Sequence, residues 1–211
     1  AALTVQFARG TNLIINMNSQ IIAANTEGDA AAKYLSDAGF NFHGKSVAIC
    51  GTGCTALAIL HACALNGANS LCLISREKSR AEKRFKTYAS TLKKAGASEL
   101  AYIPAGEGMR SLREAFNQPE FLFTDYSSDS KTLREADLIV NATRLGEQLG
   151  DPAPFDSSYI SAEQWILDCV TSEQETSLVQ EAKARTKNVL DGNKLQQIEA
   201  EISIDLVEDL N

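Results

Sequence analysis

Apolar positions along the chain fall into short runs whose period changes near residue 45. Residues 3–7, 12–17 and 20–23 alternate or run apolar between the turn-like pairs Arg9-Gly10 and Asn18-Ser19, which predicts short strands. Asn25-Thr26-Glu27-Gly28 then leads an alanine-rich helix that should stop near Gly39, with Asn25 or Thr26 as its cap. No helix is predicted before residue 28. The first 27 residues therefore read as the tail of a domain that began upstream rather than a domain in their own right.

From Lys45 strand and helix alternate. Strands are predicted at 46–50, 70–74, 100–104, 137–142, 165–170 and 188–190. Between them lie helices at 55–65, closed by Asn66-Gly67, at 76–94, ended by Gly96, and at 173–185, with shorter helical pieces at 111–116 and 131–136. Residues 119–130 carry no clear pattern, and 146–155, with two glycines and two prolines, should be an irregular exposed loop. The last helix, 193–210, gathers Leu195, Ile198, Ile202 and Leu206 on one face. Six strands with intervening helices predict an α/β fold built on a doubly wound, Rossmann-type parallel sheet, with ligand beyond the carboxyl ends of the strands.

The first strand runs into Gly51-Thr52-Gly53-Cys54-Thr55-Ala56, which fits the G-x-G-x-x-G/A pattern. In that pattern the first glycine makes the tight turn and the second admits a pyrophosphate. The small third residue lets helix and strand approach, and the free N–H groups of the helix start hold phosphate. Small residues packed for their own sake are the competing reading, so context decides. The second strand ends in Ser75-Arg76-Glu77-Lys78-Ser79-Arg80, with no acid at the strand end to bond a ribose 2′-hydroxyl. Arg76 and Arg80 favour a 2′-phosphate, hence NADP, with NAD as the second candidate. Glu77 opposes a phosphate unless it turns outward to Lys78 or Arg80, and a solvated helix start of mixed charge is the alternative reading.

Composition narrows the classes. The 211 residues are 44% apolar, enough for a sizeable core, and a net charge of −7 disfavours nucleic acid or an anionic membrane as partner. No apolar run is long enough to span a bilayer and no signal-peptide layout opens the chain, so it reads as cytoplasmic. Five cysteines form no Cys-x-x-Cys pair, and only His43 and His61 supply imidazoles, so reduced buried thiols and no metal site are expected. Both histidines read as structural or solvated.

Taken together, these segments resemble the shikimate dehydrogenase family over nearly the whole chain. Asn25-Thr26-Glu27-Gly28 resembles the family's Asn-Thr-Asp-Gly, and residues 51–56 its Gly-Ala-Gly-Gly-Ala-Ala turn. Ser75-Arg76-Glu77 with Arg80 is similar to its Asn-Arg-Thr and later arginine, which grip the 2′-phosphate. Asp137 to Gly146, Asp-Leu-Ile-Val-Asn-Ala-Thr-Arg-Leu-Gly, is the closest match, and the family passes that backbone under the nicotinamide half. Asp168-Cys169-Val170-Thr171 and Asp191-Gly192 occupy the places of two late motifs.

The resemblance implies NADP-dependent interconversion of 3-dehydroshikimate and shikimate, or of a related hydroxy acid, with a lysine and an aspartate beside the reacting hydroxyl. It implies cofactor contacts at Gly51, Gly53, Cys54, Thr55, Ala56, Ser75, Arg76, Arg80, Asn141, Ala142, Thr143, Cys169, Gly192 and Leu195. Substrate contacts are implied at Asn25, Thr171 and Glu199, and Glu27 stands in the place of the catalytic aspartate. It divides the chain into a remnant of a substrate domain (1–27), a connecting helix (28–44), an NADP-binding domain (45–192) and a C-terminal helix (193–211).

Departures concentrate at the substrate. Leu3 stands where an asparagine is expected, Thr171 replaces a tyrosine and Glu199 a glutamine. No Thr-x-Pro-x-Lys-like segment occurs, since the prolines are 104, 119, 152 and 154, so the catalytic lysine has no candidate. A fragment of a longer protein and a paralogue turned to another substrate both fit. Glu27 as a helix-start acid and Glu199 on a solvated helix face are the plainer readings. A non-catalytic NADP-binding regulatory or interaction module is the rival function, and the sequence leaves the oligomeric state open.

Overall fold

A computed structural model describes residues 3–17, 19–97, 119–126 and 130–209. Its centre is a six-stranded, all-parallel sheet of β3 (Ser46–Cys50), β4 (Ser70–Ser75), β5 (Glu120–Asp125), β6 (Leu138–Asn141), β7 (Trp165–Asp168) and β8 (Val189–Leu190). The spatial order is β5-β4-β3-β6-β7-β8. The chain enters at the middle, builds outward through β4 and β5, and returns to the other side of β3 with β6. Ile49 therefore lies beside Leu73 on one neighbour and Val140 on the other. The order reverses between β3 and β6, and a crevice opens at their carboxyl ends.

Alternate side chains feed two cores, as period-two geometry requires. Val47, Ile49, Leu71, Leu73, Val140 and Leu167 join one cluster, with α2 (Glu27–Asp37), α3 (Cys54–Leu65) and α7 (Gly192–Glu208) packed over it. Ala48, Cys50, Cys72, Ile74, Ile139 and Ile166 join the other, beneath α5 (Ser130–Glu135) and α6 (Ser177–Lys183). Helix α4 (Lys78–Ala97) adds Ala81 and Tyr88 to the first cluster. Burial on both faces explains why these strands read as near-continuous apolar runs.

Several expectations change. Residues 3–7 are helical, as α1 (Leu3–Ala8). Phe7 and Ala8 are buried, and Phe7 stacks on His61 of α3 at a ring separation of 4.3 Å, an anchor that a short alternating window does not reveal. Residues before 28 thus do hold a helix, and it belongs to the main core. The pairs 12–17 and 20–23 form an antiparallel hairpin, β1 (Leu13–Met17) and β2 (Gln20–Ala24). The segment without a clear pattern holds β5, an edge strand whose alternation of exposed and part-buried residues is muted by Phe121, Leu122 and Phe123 in a row. The strand predicted at 100–104 and the helical piece at 111–116 lie outside the described residues.

Boundaries shift for identifiable reasons. Helix α6 starts at Ser177 rather than 173 because Thr176 caps it, accepting from the Val179 N–H. Strand β7 stops at Asp168, whose carboxylate turns back on its own backbone and accepts from the Val170 N–H. Helix α4 runs through Gly96 to Ala97. Thr26 occupies the N-cap position of α2, but its side chain makes no capping bond because its hydroxyl accepts from Asn12 Nδ2. Within the 146–155 loop, Gly146, Pro154 and Phe155 are buried rather than exposed. His61 is a core residue whose burial pushes its pKa down to about 3.

Candidate functional site

The glycine turn sits where the sheet order reverses. Gly51 has φ 120°, and its N–H donates to Ile74 O at 2.8 Å. A Cβ there would stand 2.5 Å from Ala142 O, so both conformation and the approach of the β6 loop demand glycine. Gly53 differs: a Cβ on it would meet nothing within 4 Å. The space before the second glycine is open, as a cradle for a bulky anion requires. Gly53 is also the N-cap of α3 and offers no side chain to the first-turn N–H groups, while Ala56 is wholly buried against the strand.

Around this turn a cavity of about 460 Å³ is lined by Glu27, Gly53, Thr55, Ala142, Thr143, Arg144, Glu147, Cys169, Val170, Thr171, Gly192, Gln196 and Glu199. Nine predicted site residues outside the β4 end meet here: Glu27, Gly53, Thr55, Ala142, Thr143, Cys169, Thr171, Gly192 and Glu199. A larger hollow of about 630 Å³ lies between residues 146–151 and 171–180. It shares only the loop residues Glu147 and Thr171 with the first and lacks the glycine turn, so the predicted site residues gather in the smaller cavity.

Two carboxylates define the cavity's polarity. Glu27 accepts from Thr55 Oγ1 at 2.7 Å and from Asn25 Nδ2 at 2.9 Å, tying the start of α2 to the start of α3. Gly28 permits this closeness, because a Cβ there would stand 2.5 Å from Ala58 O. Glu199 is half-buried on α7. Burial, then the charge of Glu27, push its pKa up to about 7 against a hydrogen bond from Asn12. Arg144, the one cation among the described lining residues, pairs with Glu147 at 2.6 Å, and none of these residues is a lysine.

The remaining predicted residues act from behind. Asn141 is fully buried and does not reach the cavity. Its Nδ2 donates to Asp168 Oδ1 at 2.9 Å and to Leu145 O at 3.1 Å, while its Oδ1 accepts from the Thr143 N–H and hydroxyl. Asp168 also accepts from Thr176 Oγ1, so one buried carboxylate braces the loops after β6 and β7. Burial raises its pKa, opposed by bonds from Thr176, Val170 and Asn141. Leu195 is core, and Cys54 Sγ donates to Arg9 O at 3.3 Å. Burial, then the charge of Asp168 and the two glutamates, hold the Cys169 thiol well above its ordinary range. Asn25 is buried next to Glu27, and its Oδ1 has no hydrogen-bond partner among the described residues.

At the end of β4, Ser75 is buried and its hydroxyl exchanges bonds with the Glu77 backbone, shaping the entry to α4. Arg76, Glu77 and Arg80 are exposed, and neither arginine enters an ion pair among the described residues. The arginines are therefore free to meet an anion. Sequence reasoning did not find Arg144, Glu147, Gln196 or Asn12, whose places depend on loops and on the hairpin docking against α7. Among the described residues no group of three His, Cys, Asp or Glu could hold a metal ion, and no helix is long and apolar enough to cross a membrane.

No family model matches the chain. Curated relatives to which it is similar include proteins named shikimate dehydrogenase (NADP(+)): the one from Moorella thermoacetica is 30% identical over 183 residues, 86% of this chain and 54% of the relative. The chain spans about half the length of the curated relatives it matches. Among solved structures, a shikimate dehydrogenase in complex with NADP+ superposes at TM-score 0.73 with 21% identity, covering 96% of this chain and 62% of that one. The ligand-free 5-ketofructose reductase of Gluconobacter sp. strain CHM43 superposes at 0.70 with 20% identity, covering 96% and 64%. At such identities the likeness is one of fold: an α/β protein on a Rossmann-type parallel sheet.

Proposed function

We propose that this chain is a shikimate dehydrogenase-like oxidoreductase that binds NADP, with a substrate site altered from the family pattern. The observation that carries the reading is the turn itself: Gly51 locked by φ 120° and Ala142, Gly53 open, and uncapped N–H groups behind it. Gly53 and the first turn of α3 would hold the pyrophosphate, and Arg76 with Arg80 the 2′-phosphate. Ala142, Thr143 and Gly192 line the side on which the nicotinamide half would lie. When bound, the cofactor supplies hydride transfer.

The chain's own residues set what else the cavity accepts. Glu199 and Glu27 face it together, and Arg144 is already paired, so a carboxylate-bearing substrate meets repulsion that lessens as Glu199 takes up a proton near pH 7. A hydroxylated substrate finds acceptors in both acids. With no lysine among the described lining residues, proton transfer at the reacting hydroxyl lacks the family's usual group there, and shikimate turnover by this chain should be negligible.

That same absence, with Glu27 committed to Thr55 and Asn25, favours a second reading, a non-catalytic NADP-binding regulatory or interaction module. Both readings are tested by titration calorimetry with NADP and NAD, followed by assays over a series of hydroxy acids and polyols. NADP should bind more tightly than NAD, and Arg76→Met with Arg80→Met should erase the difference. Equal affinities in the unsubstituted chain would remove the 2′-phosphate assignment. Turnover of any substrate in the series would exclude the non-catalytic reading.

A further inference from the structure

Helix α4 carries a third arginine that reaches the glycine turn from outside the cavity. Arg84 lies four residues beyond Arg80, one turn further along the same helix face. Its Nε donates to Thr52 O at 2.9 Å, and Thr52 is the residue between the two glycines. The side chain is part-buried, and it enters no ion pair among the described residues. A single charged donor is thus committed to one backbone carbonyl of the glycine turn.

In a trans peptide the carbonyl and the following N–H point in opposite directions. Holding Thr52 O against α4 therefore turns the Gly53 N–H away from α4, and Gly53 lines the cavity. Without the tether this peptide could rotate at low cost, since the rotation changes only ψ of Thr52 and φ of Gly53, and a glycine with open space around it tolerates the positive φ that results. A carbonyl turned into the cradle would present an acceptor to a phosphate and remove a donor.

The geometry points to Arg84 as a positioning residue for dinucleotide binding, which fixes the Thr52–Gly53 peptide so that its N–H serves the pyrophosphate. The inference rests on the reading of the turn as a dinucleotide cradle. It separates Arg84 from Arg76 and Arg80: those act on the 2′-phosphate, whereas a fixed turn serves the pyrophosphate common to NADP and NAD. Its partner is thus any dinucleotide, with or without the extra phosphate.

The experiment compares Arg84→Met, which keeps length but loses donor and charge, with Arg84→Lys, which keeps both. Arg84→Met should weaken NADP and NAD by the same factor, about tenfold, as expected for loss of a hydrogen bond from a charged donor. Arg84→Lys should restore most of the affinity, with unfolding midpoints of the ligand-free proteins close together. Unchanged affinity in Arg84→Met, or a loss confined to NADP, overturns the inference. Amide exchange of the ligand-free protein reads the tether independently. Residues 51–57 should exchange faster in Arg84→Met and at the original rate in Arg84→Lys, and equal exchange in all three also overturns it. Should the unsubstituted chain bind neither nucleotide while the exchange pattern holds, the dinucleotide reading fails and the tether stands.

Discussion

Glu199 shows how one side chain can carry information that its sequence position does not. On a helix of otherwise exposed acids it reads as a solvated residue, and its neighbour Glu201 is exposed. The fold turns it instead toward Glu27, and burial with that like charge lifts its pKa from 4.5 to about 7. Between those two values the folded protein holds a proton that the unfolded chain has released, so stability falls as pH rises through that window. Because the side chain is only half-buried, solvent screening reduces the penalty to about 1–2 kcal/mol. Glu199→Gln should therefore raise the urea midpoint at pH 8 and leave it nearly unchanged at pH 4.5. A gain of the same size at both pH values would show that neither burial nor Glu27 raises the Glu199 pKa.

At the scale of elements, the unit of β3, turn and α3 is the best specified part of the chain. Its strand and helix lie within one residue of their predicted limits, because burial on both faces leaves β3 uniformly apolar and Gly51 and Gly53 break the run at fixed places. Gly51→Ala should cost about 1–3 kcal/mol from the backbone conformation alone. The 2.5 Å approach to Ala142 O adds to this, so dinucleotide binding should fall together with the melting temperature. An unaltered melting temperature would mean that the β6 loop yields freely. Elements at the rim were less legible. Edge strand β5 has a muted alternation, and α1 is too short for a helical period to show against a strand-like one. Helix α6 could be placed by its apolar residues, but its start is set by Thr176, which also bonds Asp168 across the loop.

For the whole molecule, residues 1–27 either stand apart from the parallel sheet or share its core. Phe7 lies against His61 and Tyr88 within the main core, Gly10 is pressed against Cys54, and Asn12 reaches both Thr26 and Glu199. These contacts tie α1 and the hairpin to α3, α4 and α7 at once. Phe7→Ala should then destabilise the protein by about 3–5 kcal/mol, the usual cost of deleting a buried aromatic ring. It should do so in a single transition, followed by near-ultraviolet dichroism and intrinsic fluorescence together. Two separated transitions would show that residues 1–27 form an independent unit.

The amino-acid order alone determined strands β3, β4, β6, β7 and β8, the glycine turn and the arginines beyond β4, since each depends on local period, backbone freedom or spacing along a single element. Tertiary structure decided the rest. It buried Asn141 as a brace rather than exposing it as a contact and joined Glu27 to Thr55. It also set Glu199 against Glu27, and brought Arg84 to the Thr52 carbonyl 32 residues away. These relations arise only when separate elements converge at the switch point of the sheet, where distance in space no longer follows distance along the chain.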